Sequence, residues 1–304
     1  MTIPLGTSLS ALVLVAAFLY AAYRDVRSRE VGDAVWLLAA LAGAAIGAAE
    51  LAPSGPVALG CWALTAAFVV EHLVPWDAPL EARSESLPGI IELAIYAGVG
   101  VTLLLVGLDR GVGGSGLPVA VLATFVSVLF ARALFEFGVL YGGADAKAVM
   151  VAALVLPLDA TPLLSLPASA VPILSIYPFA FTLLMDAAVF AIAIPLALAV
   201  RNVRAGTFEF PRGFTSYRLP VEELPHRFVW LRDPALSRDV EEEESIETSE
   251  EDRRMRERQA ATLRERGVST VWVTPQLPFV VLLAAGVVAG LVAGNLLFDL
   301  LALL

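Results

Sequence analysis

Eight long apolar runs dominate this chain and limit what it can fold into. They fall at roughly 4–23, 33–52, 56–74, 89–108, 117–140, 146–166, 172–200 and 276–302, close to the ~20 apolar residues a helix needs to cross hydrocarbon. Inside a bilayer every backbone N–H and C=O must be paired within the segment, so runs of this kind form helices. The expected fold is an all-α polytopic membrane protein with about eight transmembrane helices. The sixth run is interrupted by Pro157, Asp159 and Pro162, so it is expected to be short, kinked or partly re-entrant. Small-residue stretches at 41–49 and 284–294 predict close helix packing.

The first run starts at once, with no basic residue before it and no clear small-residue cleavage site, and is read as a retained helix. Arg24, Arg27 and Arg29 follow it, so the positive-inside rule puts the N-terminus outside and this loop in the cytoplasm. Counting onward, residues 75–88, residues 141–145, and Arg201 with Arg204 also fall inside. Asp25 and Asp145 then share one membrane face, provided that all five runs before Asp145 cross.

Residues 1–200 are expected to form a membrane core, and 276–304 a final membrane helix. Between them lies a small cytoplasmic α+β insert, 201–275. It holds 13 of the 20 basic and 15 of the 30 acidic residues, which sets it apart from the apolar remainder. Short strands are expected at 206–211 and 226–231, where aromatic and β-branched residues alternate with Pro/Gly turns. The charged stretch 239–266, with Glu241 to Glu244 in series, reads as a solvated helix or arm. No internal repeat is evident.

Charge and cysteine usage exclude several function classes. The net charge is −10, with 19 arginines and one lysine, which argues against nucleic acid as a partner. An acidic chain that avoids lysine suits a halophile. Cys61 is the single cysteine, which excludes an intrachain disulfide framework and a multi-cysteine zinc module.

Against this background two carboxylates at the borders of apolar runs stand out, since charge near the membrane marks a functional candidate. Asp25 ends the first run, in Tyr23-Arg24-Asp25-Val26-Arg27-Ser28-Arg29. Asp145 follows a small-residue turn in Tyr141-Gly142-Gly143-Ala144-Asp145-Ala146-Lys147. Two carboxylates close enough to share a proton can divide the work of proteolysis, because both cannot ionise at once. One activates a water and the other polarises the scissile carbonyl, with no metal or organic cofactor. Gly142 and Gly143 would let a peptide backbone come close. Ordinary roles exist beside this one. Asp25 can pair with Arg24 or Arg29, and Asp145 can cap a helix, which is compatible with catalysis. Lys147 is a candidate for substrate contact, for electrostatic tuning or for interfacial anchoring.

These motifs resemble the GxGD-type aspartic peptidases that process prepilins and preflagellins (archaellins), the type IV prepilin peptidase family A24, and in particular its archaeal branch. Asp25, Arg29 and Val31 match the family's first motif, and Asp145 with Lys147 its second. Val271-Trp272-Val273-Thr274-Pro275-Gln276 is similar to the family's approach to its last helix. Ala144 stands where the strict motif has glycine, and the interval between the aspartates is longer than in compact archaeal members. The resemblance implies Asp25 and Asp145 as catalytic pair, with Gly142, Gly143, Lys147 and Arg29 as substrate-binding or supporting residues. It also implies cleavage of class III leader peptides at the cytoplasmic face, with prepilin and preflagellin precursors and the bilayer as partners; homo-oligomerisation stays open. The rival readings are an ion-coupled transporter and a presenilin-like protease that cuts within a substrate helix.

Arg132 and Glu136, spaced i, i+4, predict an ion pair. Glu71 and His72 are expected at an interface, as is Asp299. Asp186 has three open readings: a hydrogen bond across helices, a cavity lining, or a span drawn wrongly.

Overall fold

A computed structural model describes residues 5–51, 56–73, 76, 80–110, 117–140, 142–158, 177–232 and 249–303. The chain divides into two compact units. The first comprises Met1–Tyr23, Val31–Val189 and Phe279–Leu304, and the second Arg24–Glu30 and Phe190–Pro278.

Apolar runs become helices along the chain: α1 (Leu5–Ser28), α2 (Asp33–Leu51) and α3 (Pro56–Glu71), then, after a short charged helix α4 (Leu80–Glu85), α5 (Leu87–Arg110), α6 (Leu117–Glu136) and α7 (Gly143–Val155). After them come α8 (Phe179–Ala191) and α9 (Ala193–Arg204). The last two merge into one apolar stretch, Phe179–Arg204, interrupted at Ile192. Pro195 lies four residues past Ala191 and withholds the N–H that its carbonyl would accept.

Among the described residues four helices are long and apolar enough to cross a membrane: Leu5–Ser28, Leu87–Val106, Val119–Glu136 and Phe179–Arg204. A fifth is gained if the bent pair at the C-terminus counts as one span. The expected eight crossings are therefore not shown. Asp33–Ala49 and Leu59–Glu71 are apolar but shorter. The sixth run, expected to be short or kinked, yields the 13-residue α7. At ~1.5 Å per residue it spans about 20 Å, against ~30 Å of hydrocarbon. The interrupting Asp159 and Pro162 lie outside the described residues.

In the first unit α7 is central. Every side chain from Ala146 to Val155 is buried, as expected of a helix that is apolar on all sides except at Lys147. Leu14, Phe18, Trp36, Leu64, Phe68, Phe179, Leu183 and Leu283 complete the core. Two small-residue contacts bring helices close. A Cβ on Gly43 would lie 2.8 Å from the Val155 Cα, and one on Gly286 would lie 2.4 Å from the Leu183 carbonyl oxygen. The final run is bent by 61° between α11 (Phe279–Val292) and α12 (Leu296–Ala302). Gly294 adopts φ +88° at the break, and the Asn295 side chain then accepts from the Phe298 N–H. Asp186, fully buried on α8, accepts the Leu296 N–H at 2.8 Å. The buried aspartate therefore caps a helix across the fold.

The second unit contains α9, a three-stranded antiparallel sheet in the order β1-β3-β2, and α10 (Ser249–Glu265). β1 (Tyr217–Pro220) pairs with β3 (Thr270–Pro275) in the register Tyr217↔Val273, and β2 (Val229–Leu231) pairs with β3 through Val229↔Pro275. Leu219, Val221, Leu224, Val271 and Val273 form its core with Ala260 and Leu263 of α10. The strand expected at 206–211 is absent: this segment is a loop, entered through Gly206 at φ +65°. Glu241 to Glu244 lie outside the described residues.

Candidate active site

Asp145 occupies the third position of α7, and the glycine turn before it determines where its carboxylate lies. Gly142 caps the helix with extended backbone (φ −96°, ψ 126°) and no side-chain cap bond; its carbonyl accepts the Asp145 N–H at 3.0 Å. Asp145 itself is thus not the cap. A Cβ on Gly142 would sit 2.8 Å from Asp145 Oδ2 and 3.3 Å from its Cγ, so the carboxylate is folded back over the glycine. Gly142 is glycine for the sake of that carboxylate. Gly143 is different: its Cβ would meet Trp76 at 3.8 Å, an ordinary contact. Ala144 lies within the first turn of α7, where φ is negative, so alanine in place of the motif glycine costs no backbone strain. A carboxylate in a first helical turn is also favoured by the partial positive charge there.

Lys147, two residues further, is buried. Its ammonium reaches Asp33 Oδ1 at the start of α2, at 2.5 Å, and lies 4.9 Å from the Trp76 ring centre. Arg132 lies 4.6 Å from the same ring, so two cations share one indole. The expected Arg132–Glu136 ion pair is present. Arg132 also donates to Glu71 Oε1 at 3.1 Å; Arg83 lies 3.6 Å from that oxygen and donates to Glu92 at 3.1 Å. Glu71, expected at an interface, is fully buried, and this chain of alternating charges compensates it. Asp299 is buried as well, 7% exposed.

Asp25 sits at the other end of the sequence, in the last turn of α1. The helix closes when Arg29 N–H bonds the Asp25 carbonyl at 3.1 Å and Arg29 turns to φ +58°, a conformation that strains a non-glycine residue by about 1 kcal/mol. The Ser28 hydroxyl bonds the carbonyls of Arg24 and Glu30 on either side. In this pose the Arg29 guanidinium lies 3.9 Å from Asp25 Oδ1 and 5.0 Å from the Phe228 ring centre. Burial works to lower the Arg29 pKa, and the Asp25 charge opposes that shift. Arg256 lies 5.4 Å from the same Phe228 ring and is ion-paired with Asp252. Gln276 joins this group through its side chain to Asp252 and its N–H to the Phe228 carbonyl.

Asp25 and Arg29 thus belong to the second unit, and Gly142, Gly143, Asp145 and Lys147 to the first. The sequence reading missed Asp33, Trp76 and Phe228. Only Asp33 carried a signal, because a buried lone lysine calls for a carboxylate partner. Trp76 and Phe228 carried none that would separate them from ordinary interfacial or core aromatics.

Residues 210–296 match a family model described as Archaeal Peptidase A24 C-terminus Type II. The match relates this membrane protein to the archaeal A24 peptidases, and the A24 domain indicates an aspartic-type peptidase. It covers Phe228, Arg256 and Gln276, and neither Asp25 nor Asp145. No curated protein matches the chain.

Proposed function

We propose that this chain is a membrane aspartic endopeptidase that removes class III, type IV pilin-like leaders from prepilins and preflagellins, with Asp25 and Asp145 as its catalytic pair. The observation that carries the reading is the match of 210–296 to an A24 peptidase model in a chain with two membrane-border aspartates. The site geometry supports it, since Gly142 leaves room for the Asp145 carboxylate at the open end of a helix.

In the proposed reaction one carboxylate is protonated and the other ionised, the state that two like charges at close range adopt. The ionised group takes a proton from water as the water oxygen attacks the scissile carbonyl carbon. The protonated group hydrogen-bonds the carbonyl oxygen as it gains charge. Collapse of the tetrahedral species expels the amine with a proton from the pair. The apparent pKa values belong to the pair rather than to either aspartate. In this reading Lys147 fixes the start of α7 through Asp33, and Arg29 steadies Asp25 from the Phe228 side. The precursor's apolar helix would lie in the bilayer with its leader in the cytoplasm, on the face that the arginines after α1 assign.

The test is to reconstitute the protein in liposomes with a class III precursor and to map the product termini by mass spectrometry. A cut at the boundary between leader and apolar run is expected. A cut inside the apolar run would replace this reading with the presenilin-like one, and proton-coupled uptake without cleavage would replace it with transport.

A further inference from the structure

The loop 206–214, directly after α9, has no part in the proposed chemistry, yet it displays bulky aromatic rings to its surroundings. Phe210 is 82% exposed and Phe208 36%. Their rings lean edge-on against Phe214 at 6.2 and 5.4 Å, so the three form one aromatic cluster. A Cβ on Gly213 would come 2.6 Å from Phe208, so the glycine lets that ring lie down on the turn.

The loop is fastened to the last turn of a membrane helix. Asn202, 1% exposed, donates from Nδ2 to the carbonyls of Gly213 at 2.8 Å and Ser216 at 2.7 Å, and its own carbonyl accepts the Thr207 N–H at 2.9 Å. The Arg201 guanidinium stacks 3.7 Å from the Tyr217 ring centre. The phenylalanines therefore keep a fixed station beside the end of α9.

That station can be placed against a bilayer. The stretch Phe179–Arg204 has 26 residues, about 39 Å of helix against ~30 Å of hydrocarbon. With the stretch centred on the hydrocarbon, about three residues remain at each end, so its last turn, which carries Arg201 and Arg204, would reach headgroup level. Arginines reach lipid phosphates at that level, and phenylalanines of segments lying on a membrane bury their rings at the boundary between headgroups and acyl chains. Glu209 lies between the two phenylalanines, and its carboxylate pairs with Arg218 at 3.5 Å, which offsets its charge. Arg212 lies at the base of the loop, over Trp272.

We propose that Phe208 and Phe210 form an interfacial anchor that seats the second unit on the lipid surface, the rings among acyl chains and Arg201, Arg204 and Arg212 toward lipid phosphates. The proposal goes beyond the peptidase reading and is tested without any cleavage assay. In a Cys61→Ser background, a nitroxide is placed on Phe210→Cys, and as reference on Glu257→Cys of the exposed face of α10. The full-length protein is placed in nanodiscs of phosphatidylcholine and phosphatidylglycerol. Collisions with oxygen and with a water-soluble nickel chelate are compared. At 210 the ratio of oxygen to nickel accessibility is expected to exceed that at 257 severalfold. Equal nickel access at the two sites would overturn the proposal, and so would shielding from both reagents, which would mean that a protein surface or a second copy covers the loop. A second variant, Phe210→Trp, keeps an aromatic ring in place. Its added emission should be quenched by brominated acyl chains, and unquenched emission would equally overturn the anchor.

Discussion

Replacing Gly142 with alanine separates a role in positioning the carboxylate from a role in folding. Gly142 has φ −96° and ψ 126°, which alanine adopts freely, so the backbone has no reason to resist. The added Cβ would lie 2.8 Å from Asp145 Oδ2, short of the 3.4 Å at which ordinary contact begins. The carboxylate must swing away by several tenths of an ångström or more. A misplacement of about 1 Å at a reacting group costs up to ~100-fold in rate, or ~2.7 kcal/mol of transition-state stabilisation. Gly142→Ala is therefore expected to lower kcat by roughly 10- to 100-fold while thermal stability changes by no more than about 1 kcal/mol. Gly143→Ala is the comparison, because its Cβ meets Trp76 only at 3.8 Å and leaves the Asp145 carboxylate in place, so a clearly smaller loss of kcat is expected. The assay is cleavage of a class III precursor in liposomes, with unfolding followed in detergent. Full activity in Gly142→Ala, or an equal loss in Gly143→Ala, would refute the reasoning.

The Lys147–Asp33 pair should respond asymmetrically, because the Lys147 side chain is 8% exposed and that of Asp33 49%. Asp33→Asn strands a buried ammonium and is expected to cost about 1–3 kcal/mol; Lys147→Met leaves a half-solvated carboxylate and should cost under ~1 kcal/mol, both read by thermal unfolding. Glu71→Ala removes the carboxylate shared by Arg132 and Arg83, and a loss of about 3 kcal/mol is expected in the same measurement; an unchanged midpoint would refute the network. Phe228→Leu removes the ring beneath Arg29 and Arg256 and is expected to lower kcat with KM unchanged, whereas Phe228→Tyr keeps the ring and the rate; an altered KM alone would show contact with the precursor instead.

Local signals in the sequence were enough to locate most helices. Apolar runs placed α1, α2, α3, α5 and α6 because a membrane helix is written in one continuous segment. The early end of α7 was legible too, because Pro157, Asp159 and Pro162 interrupt the run just past Val155. The bend between α11 and α12 was hidden because Gly294 and Asn295 sit in a run otherwise apolar, and membrane helices tolerate glycine. The strand expected at 206–211 failed for a related reason: alternating aromatics mimic a strand when they project from a loop.

The polar network was the least legible part. Glu71 and Arg132 are 61 residues apart and Lys147 and Asp33 114 apart, so only the tertiary fold pairs them. The same holds for Asp186, whose partner is the Leu296 N–H, 110 residues away. By contrast, the link from Gly142 to Asp145 spans three residues, and the motif announced it. What the motif did not reveal is that the two glycines differ, one meeting the carboxylate and the other the side chains of Trp76 and Phe135 at ordinary contact distance.

The central claim is that Asp25 and Asp145 act together, and paired substitutions test it most directly. Asp25→Asn and Asp145→Asn each keep the size and most hydrogen-bonding capacity of the side chain while removing its ionisation. Both proteins are compared with wild type for cleavage of one class III precursor in liposomes, after equal insertion has been verified. The account predicts that wild type cuts at the leader boundary and that either single variant abolishes the cut. Near-normal cleavage by either variant would contradict it.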